Sequence, residues 1–224
     1  AQYQPTRASE SIHAIRSITA EEIQKRGAVY LNDVLRNELN FRVGQDNILG
    51  TRLAMQGISG ENVKIMIDAV PVIGRLDGNI DLTQLNLNNI ERIEIVEGPL
   101  AVNYGSNALA GTINLITKTG KTNQTDLSAE VFTESIGHFN VLGSVKQGWT
   151  KNTLSISAGR NYFDGWSPTD DPFYSTQEPI ADGRRAQQWN PREQIFADAK
   201  YRFNLDKGYF EITGSYFDEV ITNR

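Results

Sequence analysis

From Thr125 onward, apolar and polar residues alternate with a period of two, the pattern of strands with one greasy and one polar face. Leu127, Ala129 and Val131 alternate with Ser128, Glu130 and Phe132; Phe139, Val141, Gly143 and Val145 with Asn140, Leu142, Ser144 and Lys146; Leu154, Ile156 and Ala158 with Ser155, Ser157 and Gly159. The clearest run is Ile195, Ala197, Ala199, Tyr201, Phe203 and Leu205, interleaved with Phe196, Asp198, Lys200, Arg202 and Asn204. Phe210, Ile212, Gly214 and Tyr216 continue it against Glu211, Thr213 and Ser215. Two architectures give this alternation: a soluble antiparallel sheet with one wet face, and a transmembrane β-barrel wall, apolar toward lipid and polar toward the lumen. The connections decide between them. Those at 148–152 and 206–208 are short, whereas 164–191 is long, polar and holds Pro168, Pro172, Pro179 and Pro191. Short turns on one side, long loops on the other, and aromatics near strand ends (Trp149, Tyr162, Tyr201, Tyr209) are barrel features. The turn at 136–138 departs from this asymmetry. An open set of about five strands cannot close, so the pattern implies more wall than the chain contains.

The first half follows other rules. Thr19 and Glu22 stand at capping-box spacing with Ile18 and Ile23 as a hydrophobic staple, which predicts a short helix from Ala20 to near Gly27. Leu31, Val34 and Leu35 share one face of a second helical segment; Phe41, Val43 and the run 63–67 read as strands. Residues 74–89, rich in Asn, Asp and Gly, are expected to be loop, too polar for the core. In the stretch IERIEIVEGPLAVNYGSNALAGTINLITK (90–118), a strand carries Ile93 and Ile95 opposite Arg92 and Glu94. Gly98-Pro99 breaks it, a turn follows at Tyr104-Gly105-Ser106, and a second strand runs through Ile113, Leu115 and Thr117. The expected core is Ile23, Leu31, Val34, Leu35, Ile65, Ile67, Ile93, Ile95, Ile113 and Leu115. The fold class is therefore an α+β domain, residues 1–121, joined through the polar linker 119–124 to antiparallel transmembrane β-barrel strands, residues 122–224.

Composition removes several functions. With 224 residues, a formal charge of -5 gives no sign of a nucleic-acid surface. The absence of cysteine excludes disulfides, zinc-thiolate sites and cysteine nucleophiles. No apolar run approaches the ~20 residues of a spanning helix, a test that is blind to spanning strands. AQYQPTRASE has no basic start and apolar core, so a signal peptide is expected to have been removed or left out.

Candidate chemistry is sparse. Glu91, Glu94 and Glu97 read as a solvated or ion-paired edge rather than an acid/base pair. Asp68, Asp77 and Asp81, or Asp170 and Asp171, lack the ordered oxygen spacing of a calcium loop and read as polar turns. Gly98, Gly105 and Gly111 are not followed by Gly-Lys-Ser/Thr and read as turn and close-packing positions rather than a phosphate loop. Tyr104 is expected to pack under the Gly-rich turn. His13 and His138 have no partners at ligand spacing. No enzyme activity and no cofactor are expected.

The 90–118 stretch, with ITAEEIQKRGAVYLNDVLRN (18–37), MQG (55–57) and KIMIDAVP (64–71) upstream in the same order, resembles the plug domain of TonB-dependent outer-membrane transporters. The resemblance covers roughly the first half of the chain. It implies a plug followed by the first part of a wall of about 22 strands, in the outer membrane of a Gram-negative cell. The implied function is TonB-dependent uptake of a scarce nutrient: a ferric siderophore first, with haem, cobalamin or an oligosaccharide as alternatives. Implied partners are TonB, outer-membrane lipid, the small-molecule cargo and a surface lipoprotein. Two apex segments would touch cargo: Gln45, Asp46, Asn47, Ile48 and Leu49 in the first, and Ile73, Arg75, Leu76, Asp77 and Asn79 in the second. Three positions depart from the family pattern. Gln56 and Glu97 stand where Arg is common, removing cationic partners for wall carboxylates, and Ala69 stands where Gly is common. The extended TonB-contacting segment has no match in AQYQPTRASE and is expected upstream. The rival from another class is a soluble carbohydrate-binding or adhesive β-protein with an α/β cap, which would dissolve without detergent. A soluble hydrolase is a third reading, but no nucleophile, base and orienting group stand together.

Overall fold

In the computed structural model, residues 15–46, 50–72, 80–98, 108–135, 137–165 and 191–222 are described. Contacts divide the chain into two units, Ala1–Lys118 and Thr119–Arg224.

The first described elements of the first unit are β1 (Ile15–Thr19) and α1 (Ala20–Lys25). The capping box predicted at their junction is formed: the Glu22 N–H donates to Thr19 Oγ at 3.4 Å, and the Thr19 N–H to Glu22 Oε2 at 2.7 Å. The Thr19 N–H and hydroxyl hold the Glu22 carboxyl below the usual carboxylate range. Ile18 and Ile23 are both buried, closing the staple. After Gly27, at φ +61°, the chain enters α2 (Leu31–Leu35), whose Leu31, Val34 and Leu35 are fully buried. Glu38 follows, its side chain only 1% exposed, paired with Arg26 at 2.7 Å and with Arg16 of β1. That clasp joins β1 to the end of α2.

Next come β2 (Phe41–Asp46), β3 (Gly50–Met55) and β4 (Ile58–Ser59), a three-stranded sheet, then β5 (Val63–Ile67) and β6 (Val70–Pro71). β7 (Ile90–Glu97) and β8 (Gly111–Thr117) complete a five-stranded sheet of order β1-β7-β8-β5-β6. β7 runs antiparallel to β1 and β8, while β5 and β8 are parallel. Ile93 faces Leu115 and Ile95 faces Ile113 across the β7–β8 pair, and all four are buried. The expected core is thus assembled, with Ile67 at its margin. Gly111, at φ +149°, lies where a Cβ would collide with the Val96 carbonyl and come within 2.6 Å of Met55 Sδ. It is a close-packing glycine.

Residues 80–89 correct the expectation of a polar loop. A 3-10 turn, Leu82–Gln84, starts there, and Leu82, Leu85 and Leu87 enter the core. Composition hid three leucines among polar residues that satisfy the backbone locally: Asp81 Oδ1 accepts the Thr83 N–H and Asn86 Oδ1 the Asn88 N–H. The backbone also binds across, Leu31 N–H to Leu85 O at 3.0 Å and Leu87 N–H to Val29 O at 2.9 Å.

The second unit is one antiparallel sheet in sequence order: β9 (Thr125–Glu134), β10 (His138–Gly148), β11 (Asn152–Phe163), β12 (Arg192–Leu205) and β13 (Gly208–Ile221). Its sidedness is inverted relative to a soluble sheet. In β10 to β12, Val145 (45% exposed), Ile156 (46%) and Ile195 (45%) lie open on one parity, whereas Asn140 (4%), Ser157 (2%), Asn161 (1%) and Gln194 (1%) are buried on the other; β9 and β13, at the sheet edges, are open on both. A soluble protein buries the apolar parity; a wall in lipid exposes it. The polar side carries ion pairs and amide contacts, Arg202 to Glu211 at 2.7 Å and Gln194 to Glu219 at 2.7 Å. Phe196 is accommodated there because it faces Gly159, where a side chain would strike its ring. Among the described residues no helix is long and apolar enough to cross a membrane, which says nothing of strands.

Candidate functional site

The two segments expected to touch cargo leave the first unit from fixed roots. In the β2–β3 hairpin, Gln45 pairs with Thr51 and Asp46 with Gly50, so residues 47–49 are its connection. The second segment leaves after β6, where the Val72 N–H donates to Ile65 O at 3.0 Å, and is described again from Ile80. Val72 and Ile80 both pack against the core. Gln45 and Asp46 end β2; Asn47, Ile48, Leu49, Ile73, Arg75, Leu76, Asp77 and Asn79 lie outside the described residues. So do Tyr104, Gly105, His13, Asp170 and Asp171.

The roots are joined to each other. Thr51, 2% exposed, donates its hydroxyl to Asp81 Oδ1 at 3.1 Å and accepts the Leu82 N–H at 2.7 Å. The same Asp81 oxygen takes the Thr83 N–H at 3.0 Å, the Thr83 hydroxyl at 2.8 Å and the Thr51 N–H at 3.4 Å. Sequence reasoning considered Asp81 only as a weak calcium ligand and did not single out Thr51. The one available signal was Asp81 two residues before Thr83, an Asx-turn spacing that says nothing of Thr51.

Asp68 likewise serves a turn. The two-residue connection Asp68-Ala69 between β5 and β6 has φ of +48° and +65°. It is bound to β8: Asp68 accepts the Thr117 N–H at 3.0 Å and hydroxyl at 2.7 Å, and the Ala69 N–H donates to Asn114 Oδ1 at 3.0 Å. Of the three glutamates, Glu91 and Glu94 bracket Arg92 at 3.0 and 2.9 Å, the ion-paired edge that was expected. Glu97 stands apart, accepting hydrogen bonds from the amides of Asn40 and Gln56. His138 stacks on Phe163, ring centroids 4.3 Å apart.

Residues 7–112 match the family model described as TonB-dependent Receptor Plug Domain. The vitamin B12 transporter BtuB of Vibrio cholerae serotype O1 (strain M66-2) is similar, 27% identical over 164 residues, 72% of this chain and 27% of that protein. The chain thus spans about a quarter of the length of such relatives. Among solved structures, the pyoverdine outer membrane receptor FpvA from Pseudomonas aeruginosa PAO1 bound to pyoverdine superposes with a TM-score of 0.73. Identity is 16%, covering 95% of this chain and 28% of that one. The ferric yersiniabactin uptake receptor FyuA from Yersinia pestis gives 0.70 at 19% identity, covering 95% and 32%. At these identities the structures speak to fold: a plug followed by antiparallel barrel strands.

Proposed function

Because the chain belongs to the TonB-dependent receptor family, as a plug followed by antiparallel strands of an outer-membrane barrel, we propose that it serves active uptake of a scarce nutrient. Residues 1–121 act as the plug, binding cargo and gating the pore, and residues 122–224 begin the wall. The observation that carries this reading is the inverted sidedness of β10 to β12, polar parity buried and apolar parity exposed, which suits a wall whose apolar parity meets lipid.

Cargo is captured by Gln45, Asp46, Asn47, Ile48 and Leu49 together with Ile73, Arg75, Leu76, Asp77 and Asn79. These combine hydrogen-bonding groups with apolar neighbours, as suits a polar ligand that must be shielded from water. A ferric siderophore is the leading cargo, in keeping with the pyoverdine and yersiniabactin receptors that share the fold. Cobalamin is the second reading, supported by the identity to vitamin B12 transporters. TonB draws on the chain ahead of the plug, and a surface lipoprotein is a further candidate partner. Traction from that end reaches β1 first. As an edge strand that among the described residues pairs with β7 alone, it can be stripped without breaking β7 from β8.

The test is Arg75→Ala with Asp77→Ala in the complete transporter, with ferric pyoverdine and cyanocobalamin as probes. Loss of a charged hydrogen bond in a site weakens binding about ten- to a hundredfold. Weaker binding at normal outer-membrane abundance, with or without the proton-motive force, supports the apex segments. Unchanged binding moves the site to the wall segment 164–191.

A further inference from the structure

On the polar parity of the second unit, Gly159 makes room for the Phe196 ring. No such neighbour explains Gly143 on the apolar parity, where a Cβ would meet nothing within 4 Å. Gly143 belongs to a rung of small residues: it pairs with Ala129 and Ala158, and Ala158 pairs in turn with Ala197. The next rung toward the short turns is Leu127, Val145 and Ile156, all exposed. Along these two rungs runs a groove of about 530 Å³, lined by Leu127, Ala129, Gly143, Val145, Ile156 and Ala158 among others. The rung on its far side holds Val131, Val141, Arg160 and Ile195. Among the described residues of this parity in β9 to β13, the charged ones are Arg160, Glu193 and Asp218, all toward the end that bears the long connection. Arg160 Nε donates to Glu193 Oε1 at 2.5 Å, and its guanidinium carbon lies 4.8 Å from the Tyr162 ring centroid. Both ionic side chains are open, and among the described residues nothing takes the Arg160 Nη hydrogens or Glu193 Oε2.

We infer that the groove and the Arg160–Glu193 pair form one seat for a membrane phospholipid whose zwitterionic headgroup carries a phosphate and an ammonium. An acyl chain lies over the small rung, the phosphate takes the Nη hydrogens of Arg160, and the ammonium faces Glu193 and Asp218. The seat requires only that the apolar parity meet lipid, as in the outer-membrane barrels whose fold the chain shares, and is independent of where cargo binds. Arg160 is two residues from Ala158 on one strand face, about 7 Å, so a headgroup at the cation sets its chain on the groove. Within hydrocarbon an acyl chain gains nothing from apolarity alone, so selection falls to packing and to the headgroup. A chain that fills a depression left empty by the protein's own side chains recovers dispersion contacts. One cation beside two carboxylates disfavours a purely anionic headgroup and matches one bearing both signs. Guanidinium and phosphate supply the strong, forked bond.

Native mass spectrometry of the complete transporter in detergent, with added dioleoylphosphatidylethanolamine, dioleoylphosphatidylglycerol or dioleoylglycerol, reads the seat. Phosphatidylethanolamine should be retained about tenfold or more above dioleoylglycerol, with phosphatidylglycerol between them. Arg160→Gln should bring phosphatidylethanolamine down to the level of dioleoylglycerol. Glu193→Gln should keep both phosphate-bearing lipids bound and narrow the gap between them, a change of preference that loss of a structural ion pair would not produce. Ala158→Leu fills the groove and should lower phosphatidylethanolamine retention about tenfold. Gly143→Val fills it from the neighbouring strand and should do the same, which keeps the test decisive if Ala158→Leu does not fold. Ala199→Leu, the same enlargement on the same parity but outside the named lining, should leave retention native. Unaltered thermal unfolding of each variant shows that the wall is intact. Equal retention of the three lipids, equal losses in Arg160→Gln and Glu193→Gln, or native retention in the folded groove-filling variants overturns the inference. So does a dimer that is lost in Ala158→Leu, since a second copy would then be the occupant.

Discussion

The side-chain amide of Gln56 donates to the carboxylate of Glu97 at 3.1 Å, and Asn40 donates to both carboxylate oxygens at 3.0 and 2.8 Å. The two positions where the family pattern carries Arg are therefore in contact here, and the carboxylate is held by neutral amides. Gln56→Arg would set a guanidinium beside Glu97. Because the site is exposed, the gain should be small, about 0.2 to 1 kcal/mol, and should vanish with Glu97→Gln. Urea unfolding of the plug within the solubilised transporter, at low and high salt, measures both. A gain that survives in Glu97→Gln would refute the pairing.

Ala69 occupies the second position of a two-residue turn at φ +65°, where the left-handed conformation favours Gly. Ala69→Gly should stabilise the plug by about 0.5 to 1 kcal/mol, the relief of strain outweighing the greater freedom glycine has when unfolded. A loss of stability in the same urea measurement would show that the bonds to Asn114 and Thr117 do not impose this turn.

Glu22 introduces a pH dependence of known sign. Its folded pKa lies below the ordinary 4.5, so the stabilisation from the capping box is complete above that value and is lost as pH falls through the lower folded pKa. Glu22→Gln should retain the cap geometry and remove this acid-side loss. Amide exchange over 19–25 between neutral pH and the carboxylate range, corrected for intrinsic rates, reads the difference. Identical acid sensitivity in both proteins would assign it to other groups.

Spin labels at Leu127, Val131, Phe139, Val141, Ile156, Ala199 and Phe203 in the full-length transporter should be accessible to oxygen. Labels at Ser128, Glu130, Lys146, Asp198 and Arg202 should report water. All of the first set are exposed except Phe203, which is half-buried. Ser128 and Glu130 are also open, because β9 is an edge strand of the described sheet. Reversed accessibility would invert the wall.

Much of this protein is decided within a few residues of chain. The Thr19–Glu22 cap spans three positions, and strand parity repeats every two, so both are visible in the order of residues. The sequence also contains the parity of β9 to β13, and its connections point to a wall; the burial of the polar parity in β10 to β12 required the sheet, since alternation by itself is symmetric between water and lipid. The core faces of α1, α2, β7 and β8 were legible for the same local reason. The descent of Leu82, Leu85 and Leu87 was not, because sparse leucines in a polar stretch carry no period. Thr51 and Asp81 are 30 positions apart, Gln56 and Glu97 are 41, and Asp68 and Thr117 are 49. Each is a short polar side chain whose partner is chosen by how β3, β5, β7 and β8 stack. Local sequence determines which groups must be satisfied; only the tertiary fold determines by whom, because a hydrogen bond acts over about 3 Å and the intervening chain can bring any of several donors there.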